Sequence, residues 1–344
     1  MTPDEPSAPA TSDEAAASDE AAASGGAGVE AIAAEAKAVL AAVGTVVVGR
    51  QRSLRLALAA ILAGGHVLLE DVPGLGKTLM ARSLAQALKL DFKRLQCTPD
   101  LLPADVTGSF LYNPGDREFT FREGPLFTGL LLADEINRTP PKTQSALLEA
   151  MQERQVTVEG RTFALPRPFH VLATANPVEY EGTYPLPEAQ LDRFLLRLDI
   201  GYPPPAEEVE VLRRRLTRQR EETEVEPVLD AARLRRLQHG VEQVSVDDDV
   251  LRYCVDLASA TRAHPAVEVG ASPRGAQALV LVGRALAVLD GRDFVLPEDV
   301  KECAVPALAH RLTLRPETWT SGVTGVEVVT ELLGRVAGPA SSRS

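Results

Sequence analysis

Aromatic side chains are scarce in this chain: one Trp, five Tyr and nine Phe, 4% of 344 residues. A core built on ring stacking is therefore excluded, and Leu, Val and Ala must supply the packing, which the 45% hydrophobic content permits. A basic excess is also missing. The net charge of −12 excludes bulk nucleic-acid binding through a generally positive surface, though not a locally basic channel. Cysteine is rare: Cys97, Cys254 and Cys303 stand far apart, without metal-type spacing. They read as reduced, buried thiols of an intracellular protein. Long apolar runs are absent as well. The stretch Leu56–Leu69 is shorter than the ~20 residues a membrane helix needs and is broken by Gly64, Gly65 and His66. Residues 276–289 are apolar but short, and they carry Arg284. The N-terminus has neither a basic start nor an apolar signal core, so the expectation is a soluble cytoplasmic protein with no membrane insertion.

What is present divides the chain. Residues 1–28 are Ala, Ser, Asp, Glu, Gly and Pro with nothing to bury, which predicts a disordered acidic tail. From Val29 to Pro205, helical and strand patterns alternate. Helices are expected at Val29–Val43, Arg50–Ala63, Thr78–Leu88 and Thr143–Arg154. Strands are expected at His66–Leu69, Phe92–Gln96, Leu130–Asp134, Val171–Ala175 and Leu195–Ile200. Near-continuous apolar strands alternating with helices predict a parallel α/β sheet covered on both faces. Pro203, Pro204 and Pro205 mark a boundary, after which the pattern turns helical. Val250, Leu251, Cys254, Val255 and Ala258 are expected on one buried helical face, and Pro297, Glu298 and Asp299 open another helix. Residues 206–338 thus predict a smaller all-α domain, and 339–344 a short tail.

The segment Asp71-Val72-Pro73-Gly74-Leu75-Gly76-Lys77-Thr78 fits a phosphate-binding P-loop except that Asp71 stands where Gly is usual. Gly74 and Gly76 let backbone N–H groups turn inward to phosphates, and the following helix directs its positive end there. Lys77 reaches the β- and γ-phosphates, and the Thr78 hydroxyl binds Mg²⁺. The apolar strand Leu130–Ala133 then ends in Asp134 and Glu135. Asp134 falls beside the metal, and Glu135, one residue on, is placed to polarise a water. No guanine-reading Asn-Lys-x-Asp follows, which excludes a Ras-type GTPase, and the kinase motifs are missing.

Further segments, in order, make the chain resemble the AAA+ superfamily of ATPases and, within it, the MoxR family, over about residues 29–338. They are Val47-Val48-Gly49-Arg50, residues 68–74, residues 133–142, Ala173-Thr174-Ala175-Asn176-Pro177, residues 186–194 and Ala271-Ser272-Pro273-Arg274. The resemblance implies a P-loop NTPase core of parallel sheet followed by a C-terminal all-α lid. It places Val48 and Gly49 on the adenine side of ATP. It makes Asn176 the sensor 1 residue that holds the attacking water or γ-phosphate. Arg193 becomes an arginine finger reaching a neighbouring subunit's nucleotide. Arg274 becomes sensor 2, projecting from the lid onto the γ-phosphate. Arg138 is either a second interface arginine or a helix-capping residue.

Two alternating segments, Ser109–Tyr112 with Glu118–Arg122 and Val156–Val158 with Thr162–Ala164, read as hairpins. Their positions match insertions of the branch shared with magnesium chelatase and the replicative helicases, where a ring would point them at a substrate. The reading is therefore an ATP- and Mg²⁺-dependent ATPase working as a homo-oligomeric ring, by family habit a hexamer. It acts on protein clients in the assembly or activation of complexes, often with a partner bearing a von Willebrand factor A domain. A metal-chelatase motor subunit, a nucleic-acid translocase and a nucleotide-gated scaffold are the rival readings. The translocase is disfavoured by charge, since the hairpins offer only Arg117, Arg122 and Arg161.

Overall fold

The computed structural model describes residues 28–339, apart from Pro73, Asp116, 177–182 and 220–222. The expected tails at 1–28 and 339–344 lie almost wholly outside the described residues. Among the described residues no helix is long and apolar enough to cross a membrane.

Five strands form one parallel sheet: β1 (Val67–Glu70), β2 (Phe92–Gln96), β5 (Leu130–Asp134), β8 (His170–Ala175) and β9 (Leu196–Leu198). Their order is β2-β5-β8-β1-β9, so β1 is flanked by β8 (Val67 beside Leu172) and β9 (Val67 beside Leu196). Because side chains alternate along a strand, each strand feeds both faces. Val67, Leu69, Leu130, Leu132 and Leu172 join one core cluster. Leu68, Leu131, Ala133, Val171 and Ala173 join the other. This two-sided burial explains the unbroken apolar runs. The expected strand Leu195–Ile200 shortens to Leu196–Leu198, since its pairing with β1 ends at Leu198 beside Leu69.

The core cluster on the first face is shared by α1 (Val29–Gly44), α2 (Gln51–Leu62), α3 (Lys77–Ala87) and the C-terminal helices α8 (Ala231–Glu242), α9 (Asp248–Ala263), α10 (Pro273–Leu289) and α11 (Pro297–Leu308), of which α2, α3 and α11 lie against the strands. Residues from both sides of Pro203–Pro205 share this cluster, so the hydrophobic core continues past that point. The second face is covered by α5 (Pro141–Glu153), with Leu147, Leu148 and Met151 buried. A separate helix, α7 (Pro205–Arg218), follows β9 and buries none of its described side chains.

One expectation is corrected on α9. Val250, Cys254 and Ala258 are buried together with Tyr253, Leu257 and Thr261, but Leu251 is 38% and Val255 53% exposed. Adjacent residues on a helix point about 100° apart. The packing partner reaches one stripe, and Tyr253 rather than Leu251 and Val255 fills it.

The two expected hairpins are present as β3 (Gly108–Asn113) with β4 (Glu118–Glu123) and β6 (Gln155–Val158) with β7 (Arg161–Ala164). They pack on each other through rings. Phe121 stacks on Phe163 with centroids 4.0 Å apart, Phe110 lies 5.5 Å from Phe121, and the Arg161 guanidinium sits 5.2 Å above Phe110. Much of the chain's small aromatic content is concentrated there, with Tyr112 and Phe119 paired and exposed.

Candidate active site

A parallel sheet gathers the carboxyl ends of its strands at one edge, the usual ligand edge of such sheets. β1 runs there into the loop beginning at Asp71, β5 into Asp134 and Glu135, and β8 into Asn176. The sequence motifs meet because the strands are parallel and adjacent. In the loop, Gly74 and Gly76 have φ of +86° and +83°, a region that side chains other than Gly rarely adopt. Gly76 is the cap residue before α3, so the helix's free N–H groups open towards the loop. Val72, Leu75 and Thr78 are half-buried along it; Pro73 lies outside the described residues. The Lys77 ammonium donates to the Asp71 carbonyl. Burial pulls its pKa below the ordinary lysine value, while the nearby charges of Asp71, Asp134, Glu135 and Glu70 oppose that shift.

Asp71 ties the loop down. Its carboxylate accepts the Val72 N–H at 2.8 Å and the Gly201 N–H beyond β9, and its own N–H donates to Ala175 O. A Gly at this position would lack both side-chain bonds. The Val48-Gly49 segment is drawn to the same edge. Arg50, 8% exposed, donates to Ile200 O at 3.0 Å, and burial lowers its pKa against the pull of Asp71, Glu207 and Glu208. Gly49 sits at φ +72°, where side chains are strained, with the Glu207 carboxylate against it.

The acid pair is held from several sides. Thr174 Oγ1 donates to Asp134 at 2.7 Å and accepts the Glu135 N–H at 2.8 Å. Arg94 on β2 pairs with Asp134 at 2.6 Å. Gln96 donates to Glu135 at 3.0 Å, and Arg138 pairs with Glu135 at 3.1 Å. Arg138 thus contacts its own chain's acid. No local sequence pattern marks Arg94 and Gln96, whose importance comes from β2–β5 register, where Gln96 lies beside Asp134. Asn176 is 7% exposed, and its carbonyl accepts the Asn137 side-chain amide at 3.2 Å. This donor set suits a nucleotide with Mg²⁺. Thr78 and Asp134 offer hard oxygen ligands, few in number, as Mg²⁺ takes when phosphates complete its shell. Two glycines keep the loop clear of side chains.

Arg193 and Arg274 lie elsewhere. Both line a cavity of about 280 Å³ with Gly64, Gly65, Arg154 and Arg311. Gly64 and Gly65 precede β1, and Arg193 precedes β9, so this is the amino edge of the sheet, opposite the P-loop. The resemblance reads Arg274 as projecting onto the γ-phosphate of its own chain; the side chain lies instead at this opposite edge. The reason lies in α10, whose first turn is fixed at this edge. Ser272 caps Arg274 N–H and donates to Asp192 at 3.2 Å. Among the described residues, the Arg193 side chain has no hydrogen-bond or ion-pair partner.

Residues 66–196 match the family described as ATPase family associated with various cellular activities (AAA), and residues 259–332 match the AAA lid domain. The chain is 41% identical to Chaperone MoxR1 of Mycobacterium tuberculosis, over 91% of this chain and 85% of that one. It is 34% identical to Protein MoxR of Paracoccus denitrificans, over 80% and 88%. The chain belongs to the MoxR family of AAA+ ATPases. YeaC of Bacillus subtilis is 52% identical over 86% of this chain and 92% of its own. A crystal structure from Cytophaga hutchinsonii superposes with a TM-score of 0.84 at 39% identity, covering 95% of this chain and 99% of that one. The AAA+ assignment accounts for the parallel-sheet core and the helical C-terminal part, and it carries with it the general ATP and Mg²⁺ chemistry of such domains.

Proposed function

We propose that this MoxR-family protein is a Mg²⁺-dependent ATP hydrolase that works as a closed ring of identical chains, most simply a hexamer, and remodels protein complexes. The separation of Arg193 and Arg274 from the P-loop of their own chain carries the reading. The carboxyl edge offers Lys77, Thr78, Asp134, Glu135 and Asn176 to ATP, while the arginines near it among the described residues are engaged: Arg94 and Arg138 by the acids, Arg197 by Glu70 and Arg50 by the Ile200 carbonyl. The amino edge offers Arg193 and Arg274. Head-to-tail packing of copies brings one edge against the other, and a head-to-tail contact that closes makes a ring.

Within such a site, Lys77 and the loop N–H groups bind phosphate oxygens, with Val48 and Gly49 on the base side. Thr78 and Asp134 would hold Mg²⁺, which when bound would supply neutralisation of phosphate charge. Glu135 takes the proton of the attacking water, oriented by Gln96 and Arg138, and Asn176 orients that water. The neighbour's Arg193 and Arg274 meet the charge that spreads as the phosphate departs.

The paired hairpins support a protein client, because they lie outside the nucleotide edge and expose Tyr112 and Phe119. A relative at 41% identity bears the name chaperone. A partner with a von Willebrand factor A domain, and a cytoplasmic location, belong to the same proposal. A translocase gains little support, since Arg161 is spent on Phe110.

Mixing experiments test the trans arrangement. Arg193→Ala and Arg274→Ala should each bind ATP normally and hydrolyse it slowly, since a trans finger is worth ~10³–10⁵ in rate. Lys77→Ala should not bind. Each arginine variant mixed with Lys77→Ala should exceed the sum of the two activities, because an intact pocket then faces intact arginines. If Arg274 acted within its own chain, its mixture would stay additive. If both mixtures stayed additive and specific activity did not change with concentration, the ring reading would fall.

A further inference from the structure

Helix α7 is amphipathic in the wrong direction for an isolated chain. A surface helix normally turns its apolar stripe inward. On α7 the inward residues are charged and spaced as one face: Glu207, Glu210 and Arg214, all half-buried. Glu207 lies over Gly49. Arg214 donates to Thr45 O at 2.6 Å and pairs with Glu210 at 2.8 Å. The opposite face carries Val209, Leu212 and Leu216, 52%, 64% and 76% exposed. Their spacing of three and four residues makes a continuous apolar ridge. No described side chain of α7 is buried, so polar contacts to the 44–49 segment hold this helix in place while its apolar face is turned to solvent. Ordered apolar surface of this kind marks a contact site.

The occupant follows from where α7 sits. Its first turn touches Gly49, and the segment before it is bound to Asp71 through Gly201 and to Arg50 through Ile200. The ridge is therefore carried at the P-loop edge. Resting on the trans reading above, the body that must approach this edge is the arginine-bearing end of a second copy. The charges left without an ion-pair partner among the described residues agree: Glu207, with Oε2 buried and unpartnered, and Glu208 lie on one side, Arg193 and Arg274 on the other. We propose that the Val209–Leu212–Leu216 ridge of α7 is the apolar part of the subunit interface. It is covered by the same neighbouring copy that inserts Arg193 and Arg274 into the nucleotide site. α7 then couples assembly to the Val48-Gly49 side of that site.

The test uses the full chain with Leu212→Asp/Leu216→Asp, beside a Leu216→Met control that keeps the ridge apolar. Mass is followed by sedimentation and light scattering across protein concentration in ATP and Mg²⁺, together with ATP affinity and thermal melting. The double variant should keep the melting temperature and bind ATP within about twofold of the parent, since no buried contact is lost. It should need at least tenfold more protein to assemble and lose hydrolysis in proportion. Leu216→Met should assemble as the parent does. Assembly of the double variant at the parent's concentration would overturn the proposal and leave the ridge to a client or to another segment. If that happened while the Arg193→Ala and Lys77→Ala mixture still recovered activity, the trans reading would stand and the interface assignment alone would be lost. A parent that stays monomeric throughout would overturn both.

Discussion

At the scale of residues, Glu135 is the most constrained member of the site. Its backbone occupies the left-handed region at φ 60°, uncommon for a residue with a side chain and often kept where geometry serves function. Three groups secure it: Thr174 at the N–H, and Gln96 and Arg138 at the carboxylate. Removing one restraint should misplace the base without emptying the pocket. Gln96→Ala is expected to lower kcat about tenfold, or ~1.4 kcal/mol of barrier, with ATP affinity nearly unchanged. Equilibrium binding and steady-state phosphate release measure the two separately. A parallel loss of affinity would make Gln96 a binding residue instead. Nothing in the run Phe92–Gln96 announces this role, because the contact joins residues 39 apart through strand pairing.

At the scale of elements, one buried ion pair fixes the loop that presents the arginines. The Arg311 side chain is 3% exposed. It pairs with Asp192 at 2.7 Å and donates to Phe194 O at 2.8 Å, while His310 reaches the same carbonyl at 3.2 Å. Asp192 also accepts from Ser272, the cap of α10. Arg193 and Arg274, 81 positions apart in the sequence by their numbers, are thus set by a single carboxylate. Asp192→Ala leaves Arg311 buried without its counter-charge, a change that typically costs ~3–5 kcal/mol. Urea unfolding should show a loss of about 3 kcal/mol. A loss below about 0.5 kcal/mol would mean that Arg311 finds water or another acceptor. The Asp192-Arg193-Phe194 motif was visible in the sequence, but Arg311 was not, since no local pattern marks the residue that folds back onto it.

Across the whole molecule, stability should depend on pH through its buried histidines. Burial, reinforced for His66 by the neighbouring His170, lowers the pKa of His66 to about 3, and burial lowers that of His170 to about 4. His310 is pushed far below its usual value by burial and by Arg311. The hydrogen bonds agree: His66 accepts the Val171 N–H at Nδ1 and faces Met151 O with Nε2. A proton added at Nδ1 would meet a donor. The folded pKa values lie below the unfolded value near 6.5, so the unfolded chain binds more protons once the pH drops below it. Stability is therefore full above about pH 6.5 and falls as acid is added, by up to ~1.4 kcal/mol per pH unit for each histidine. The urea midpoint should drop between pH 7.5 and pH 5.5, and His170→Gln should flatten the slope. A midpoint that held steady over this range would mean that these imidazoles are charged or solvated in the folded protein.

The sequence by itself determined the parallel α/β core, the P-loop and acid pair, the hairpins and the MoxR resemblance. Each is written in local signals: apolar runs, Gly spacing, alternation, strand ends. Tertiary structure alone decided which edge of the sheet each functional group occupies. It grouped Asp71, Asp134, Glu135 and Asn176 at the carboxyl edge and sent Arg193 and Arg274 to the other. It also turned Leu251 and Val255 outward on α9 and Val209, Leu212 and Leu216 outward on α7. The physical reason is common to all of these. Helical and strand periodicities fix the relative directions of neighbouring side chains, but the absolute direction is set by what packs against the element. For α7, those partners are the backbone at Thr45 and the close approach at Gly49, far away in the chain.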